Sequence, residues 1–542
     1  MRRNCESHGS RTVLRAARPM ALALALVSAT VSAAPAQDAA PLSAIDWLRH
    51  SPIQPQPGAY PVTPPLGAQP GDPGISVRAL DALRPEAVGL FPAARVGLPT
   101  ALWGPTPAGT LAGLIAALPT DMLPALRDLS LRMLLAEFNA PLPDAQSASP
   151  QAAAAPDYLL ARIDKLVEFG ALDQAAAILD TLGAPDPRLR LLRFDIGLLL
   201  GDEHAACTDV LRPEPPIGDD AALVFCLSRA GEWDAADARL TEAADAGRVT
   251  PYLADLLAHF LNDDARLPGA STLIPPPTGT PDPLVWRLRE ATGETESTLG
   301  LPVAYAHADL RGTIGWRAQI EAAERLVRAG ALSPNRLLGL YTERRAAASG
   351  GIWERVREVQ RLDTALRETA GADAVAAALL AAWPLVQAGE LEVPLASLYA
   401  QPLGQLALPG EAGRLAYRIG LLSDAYETVA LGLDPTRADP EETFLATIAR
   451  GLDPGQSGGT MPGELAAAVA IAFGPAPMLP EGLAERLAQG RLGEEILRNL
   501  ARLGGPGDPR ALAEGLGALR AMGLEDIARR AALQSLLLER RG

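Results

Sequence analysis

The chain has 542 residues, a formal net charge of −16, 48% hydrophobic residues and only 4% aromatic ones. So acidic a balance disfavours nucleic acid and anionic lipid as partners, because like charge repels phosphate. Ala- and Leu-rich packing with few aromatics suits closely pressed helices and argues against a β-rich fold.

Arg2, Arg3, Arg11, Arg15 and Arg18 precede a short apolar run from Met20 to Val31. Small residues follow, with a cut expected after Ala33 or Ala36. The pattern predicts a secretory signal peptide over 1–33, with an apolar core too short to span a bilayer. No cysteine follows the run to take a lipid. A periplasmic or secreted location after cleavage is the expectation.

Residues 34–74 form a Pro-rich lead, including Pro52, Pro55, Pro57, Pro61, Pro64, Pro65, Pro70 and Pro73. Such a stretch favours extended, poorly packed chain. Within it Ile45, Trp47 and Leu48 cluster in a short apolar island. The island reads either as a docking segment for another protein or as chain folded back onto the helices.

Residues 75–142 read as an N-terminal helical region, with its clearest helix over Leu123 to Phe138. A linker over 143–156 separates it from the most regular stretch, 157–267. Here Gly170, Gly201 and Gly231 recur at 31- and 30-residue steps, and Ala175, Ala206 and Ala236 each follow at the fifth position. A glycine stops a helix sharply because it adopts the left-handed conformation cheaply. A small side chain one turn into the next helix then lets the two helices approach. The spacing predicts stacked helix pairs that share one core.

In its Gly, four residues, Ala, large apolar pattern the stretch resembles the second half of the tetratricopeptide repeat. The Trp-x-x-Leu-Gly-x-x-Tyr run of that family's first half does not precede these glycines. Looser matches follow at Gly330, at Gly420 with Ala425, and at Gly523 with Ala528.

Cys207 and Cys226 lie nearly symmetrically about a predicted interhelical linker, Pro213 to Gly218. In an antiparallel pair they could face each other, and an exported protein permits a disulfide; two small buried side chains are the alternative. A Pro-rich linker over 268–283 leads to a second helical block, 284–400. Its strongest helix runs from Ile352 to Leu366. Ala374 to Ala388 is uncharged, contains Pro384 and reads as a helix buried on all sides. Eleven arginines fall between Arg311 and Arg367; they read as a solvated, ion-paired face or as a patch for an anionic partner. The C-terminal helical block, 410–542, is interrupted by a Gly-rich loop over 453–463.

Chemistry-bearing patterns are sparse. Gly455-Gln-Ser457-Gly-Gly459 fits Gly-x-Ser-x-Gly, but no strand precedes it to form a nucleophile elbow, so Ser457 reads as a linker serine. His204 and Cys207 sit one helical turn apart, which supplies too few ligands for zinc. An exported helical array is also similar to the superhelical part of soluble lytic transglycosylases, whose catalytic glutamate lies in a Glu-Ser motif. Glu296-Ser297 matches that dipeptide, but Thr298-Leu-Gly-Leu-Pro follows where the family has a Gly-Leu-Met-Gln-like run.

The sequence therefore predicts an all-α protein: a helix-turn-helix repeat solenoid, or superhelical array, behind a Pro-rich lead. Its expected function is to bind or scaffold another envelope protein or peptide, with no enzymatic activity, cofactor, metal or transmembrane anchor. The oligomeric state is left open. The alternatives are a lytic-transglycosylase-like cell-wall protein and an Ala/Pro-rich structural or ice-binding-type exported protein.

Overall fold

Polar residues followed by proline open many of the helices. Asp186-Pro187, Thr250-Pro251, Ser333-Pro334, Asp439-Pro440 and Asp508-Pro509 each place a capping side chain on a first-turn N–H and a proline in the first turn. The cap satisfies an orphan donor, and proline fits where no helical N–H bond is needed. Many prolines thus start helices.

A computed structural model describes residues 84–538, apart from 145–154, 184–185, 213–216, 263–273, 295, 347–349, 369–370, 437 and 506. All of them fall in one of two units, Ala79–Gly542. The predicted signal peptide, the Pro-rich lead and the island of Ile45, Trp47 and Leu48 lie outside the described residues.

The described residues form an all-α array of 24 helices. The first part holds β1 (Phe91–Pro92), α1 (Ala108–Ala116), α2 (Pro124–Leu135) and β2 (Ala136–Glu137). β1 and β2 pair in parallel, with Phe91 opposite Ala136. The repeat stretch supplies α3 (Ala155–Glu168), α4 (Leu172–Leu182), α5 (Pro187–Leu200) and α6 (Glu203–Val210). It continues with α7 (Asp220–Arg229), α8 (Trp233–Asp245) and α9 (Pro251–Leu261). The second block contributes α10 (Pro283–Ala291), α11 (Ala306–Asp309), α12 (Trp316–Arg328) and α13 (Pro334–Glu343). α14 (Gly351–Arg367), α15 (Ala372–Ala388) and α16 (Glu392–Gly404) complete it. The last block comprises α17 (Gly410–Leu421), α18 (Tyr426–Leu431), α19 (Pro440–Ala449) and α20 (Glu464–Phe473). α21 (Leu483–Ala488), α22 (Leu492–Leu503), α23 (Pro509–Ala521) and α24 (Glu525–Leu537) end the chain.

Gly170, Gly201, Gly231, Gly330 and Gly523 all take positive φ between consecutive helices. Ala175, Ala206 and Ala236 are wholly buried in the helices that follow the first three. Gly420 corrects the predicted set: it lies inside α17 rather than at a turn. Its role is close approach, since a Cβ there would lie 2.9 Å from Val429 on α18.

A second correction concerns α15. Val375, Ala376, Leu379, Ala382 and Val386 are buried, but Ala374, Ala377, Ala381 and Pro384 face solvent. Alanine has too little apolar surface to demand burial, so an uncharged helix can keep one exposed face.

The cores do not follow the linear blocks. One joins residues between Val88 and Ala308 to residues between Leu421 and Leu533. A second spans Ala306 to Leu422 with Leu538, and a third spans Phe194 to Leu288. The first core closes the array on itself. α1 and α2 pack on α22, and α2 also packs on α24. The Ala125 N–H donates to Gln534 Oε1 (2.8 Å), and Thr106 Oγ1 donates to the wholly buried Glu494 (3.1 Å).

α2 also meets the middle of the array. Arg127 donates to the carbonyls of Arg328 and Thr120, and a Cβ on Gly330 would lie 3.3 Å from Leu131. Helices from the start, middle and end of the chain therefore surround α2. Eight of its twelve residues are buried, which makes it a central strut instead of the first rung of an open ladder.

Two buried cations on α3 brace this region, Arg162 on the end of the strut and Lys165 on the end of α1. Arg162 on α3, 2% exposed, donates to the carbonyls of Val88 (2.6 Å), Ala136 (3.3 Å) and Leu134. Lys165, the sole lysine of the chain and 2% exposed, donates to the carbonyls of Ala116 (3.0 Å) and Leu118 (2.8 Å) and to Glu168. Placing an ammonium at the C-terminal end of α1 satisfies orphan carbonyls and opposes the helix dipole.

Candidate functional site

α6, α7 and α8 form the most distinctive local assembly outside the closure region. Cys207 on α6 and Cys226 on α7 are joined by a disulfide across a sequence separation of 19. The link pins two helices whose own contact face is small. Phe225 stands edge-on to Phe194 and stacked on Phe260, with centroids 6.0 and 5.7 Å apart. Large rings fill the space that the alanine-rich helix faces leave.

Buried carboxylates hold the edges of this assembly. Asp220, at the start of α7, is paired with Arg239 and Arg248, which hold its carboxyl below the usual range against the opposing effect of burial. Glu203, at the start of α6, receives Arg229 (2.9 Å) and Arg287. Both acids sit in first helical turns, where the dipole also favours negative charge.

The outer helix, α8, buries only Ala236, Leu240 and Ala243. Trp233 at its first position is 47% exposed. The other five described tryptophans, Trp103, Trp286, Trp316, Trp353 and Trp383, are buried or half-buried. Asp234, Asp237, Thr241 and Asp245 recur at steps of three and four and are all exposed, so they share one face of the helix. Glu232, Asp234, Asp237 and Asp245 have no ion-pair partner among the described residues, whereas Glu242 is held by Arg239 (3.2 Å) and Arg248 (3.0 Å).

Sequence reading missed this face because a tryptophan just after a repeat turn resembles core. The available clue was the acidic recurrence opposite Ala236, Leu240 and Ala243.

The residues singled out for chemistry occupy structural roles. Glu296 accepts from Arg289 (3.0 Å), and Ser297 caps a short 3₁₀ turn. Ser457 Oγ donates to the carbonyl of Pro454 (3.0 Å) and accepts from the N–H of Gly459 (3.2 Å). Its loop lies against α19, where a Cβ on Gly459 would meet the backbone of Phe444. His204 is exposed, and the disulfide consumes its cysteine neighbour. His307 is buried against the carbonyl of Gly170 (2.6 Å), and burial pushes its pKa down. No cluster of three metal-type ligands occurs among the described residues, and none of their helices is long and apolar enough to cross a membrane.

The arginine-rich stretch is largely tied down. Arg311 pairs with Glu290, Arg355 with Glu324, Arg361 with Glu358 and Arg367 with Asp363. Arg325 donates to the carbonyls of Thr298 (2.8 Å) and Leu301 (2.6 Å). Arg311, Arg325 and Arg355 are therefore engaged inside the fold, whereas Arg361 and Arg367 are exposed and ion-paired at the surface.

Asp195 on α5 is set apart by its surroundings. Burial, with the charges of Asp219 and Asp282 added, raises its pKa to about 7.

The chain matches no protein-family model, no curated protein and no solved structure.

Proposed function

We propose that this is an exported helical-repeat protein that binds or scaffolds another protein of the cell envelope. The observation that carries the reading is the array itself: stacked helix pairs closed into one unit by α2 and braced by a disulfide. Stacked helix pairs present extended surface for binding. With α2 inside, the surface left for a partner is the outer faces and rims. A disulfide suits an oxidising compartment, which agrees with the arginine-led apolar start of the sequence. A tetratricopeptide-like origin for the helix pairs fits the same features.

The test is a crosslinked pull-down of the full-length tagged protein, exported by its own leader, from intact cells. A stoichiometric protein partner supports the reading. Recovery of only cell-wall fragments, or of nothing under several crosslinking conditions, contradicts it.

A further inference from the structure

We infer that the outer face of α8 is a docking surface for a basic, partly apolar segment of a partner protein. The inference rests on the binding reading above and adds to it a location and a partner chemistry.

Helix stability does not account for this face. Acids in a first turn help a helix, so Asp234 and Asp237 alone could serve its N-terminus. Asp245 lies in the last turn, where the dipole disfavours an anion and where α8 carries no basic residue. An unpaired Asp245 therefore costs the helix stability. Trp233 gains nothing from exposure either, since leaving so large a ring in water forgoes its transfer free energy. Tryptophan is among the residue types enriched at interface hot spots.

The surrounding acids do not behave this way. Asp220, Glu203 and Glu242, on or beside the same helices, are each neutralised by two arginines. The outward stripe has no such arginine partners among the described residues. An aromatic ring beside unpaired carboxylates is complementary to lysine or arginine side chains: the carboxylates attract the cation and the ring face accepts it. An apolar side chain of the same segment would cover the remainder of the ring. Nucleic acid and anionic lipid surfaces carry the wrong sign.

The probe is a fluorescent amphipathic peptide of leucine and lysine, with a leucine–glutamate peptide as control, titrated against the full chain. Two variant sets carry the same change in charge. The first is Asp234→Asn, Asp237→Asn and Asp245→Asn together; the second places Asp373→Asn, Glu411→Gln and Glu481→Gln at exposed positions elsewhere. The expected result is binding of the lysine peptide alone, weakened about tenfold by the first set and little by the second. Trp233→Ala is expected to weaken it by a similar factor or more. Equal effects of the two sets, or none from either, overturn the inference by reducing it to general charge attraction. A partner captured in the pull-down whose recovery survives the first set and Trp233→Ala overturns the docking surface while leaving the scaffolding reading intact. Capture of no partner at all defeats the scaffolding reading instead.

Discussion

The turns at Gly170 and Gly231 come from one repeated pattern but occupy opposite environments. A Cβ on Gly170 would lie 3.2 Å from Leu326 and Val303, while one on Gly231 would meet nothing within 4 Å. Gly170 belongs to the closed interior, where His307 holds its carbonyl and α3 carries the buried cations Arg162 and Lys165. Gly231 opens the helix whose outer face is bare. Equivalence in a repeated sequence is thus equivalence of local geometry only. What a hairpin does depends on which part of the chain returns to cover it.

The largest expected effect breaks the closed side. Arg162→Met leaves the carbonyls of Val88, Leu134 and Ala136 buried without their donor, which should cost about 4 kcal/mol in denaturant unfolding. A loss below about 1 kcal/mol would show that these carbonyls find other partners. Next comes the disulfide on the open side. Cys207→Ser with Cys226→Ser should cost about 3 kcal/mol, given the short loop that the bond closes. The double variant should remain folded, because the Phe194, Phe225 and Phe260 core persists.

The comparison itself is sharpened by Gly170→Ala against Gly231→Ala. Both place a side chain at positive φ, for about 1 kcal/mol each. Only Gly170→Ala also presses on Leu326 and Val303, so it should lose about 1 kcal/mol more in thermal unfolding. Equal losses would mean that the interior yields freely.

The smallest effect concerns pH. The folded-state pKa of Asp195, about 7, lies above its ordinary value of 3.8, so folding favours the protonated acid. Its contribution is fully present below about pH 4 and fades as pH rises through about 7. Asp195→Asn should therefore flatten the decline in stability between pH 5 and 8, and should raise stability at pH 8 by on the order of 1 kcal/mol. An unchanged profile would place the titration on another group.

Much of the local architecture was legible in the sequence. Gly170, Gly201 and Gly231 mark turns because the demand for positive φ is set within a few residues. Cys207 and Cys226 could be paired because their helices are adjacent in sequence. The closure was not legible, because it depends on contacts such as Thr106 to Glu494 and Ala125 to Gln534, separated by 388 and 409 residues. α2 was hard to place for a further reason. A charged side chain ordinarily signals solvent, yet Arg127 is spent on backbone carbonyls inside the fold. Gly420 misled through its spacing, since glycine serves close packing within a helix as readily as a turn.

Hydrogen exchange of the intact protein tests the enclosed strut most directly, by comparing Pro124–Leu135 with Trp233–Asp245. If α2 is held between the first, middle and last parts of the array, its amides should exchange only on global unfolding, together with those of Leu492–Leu503. The amides of α8 should exchange sooner, through local opening. Fast exchange over 124–135, at or above the rate of α8, would mean that the array is open and that α2 does not close it.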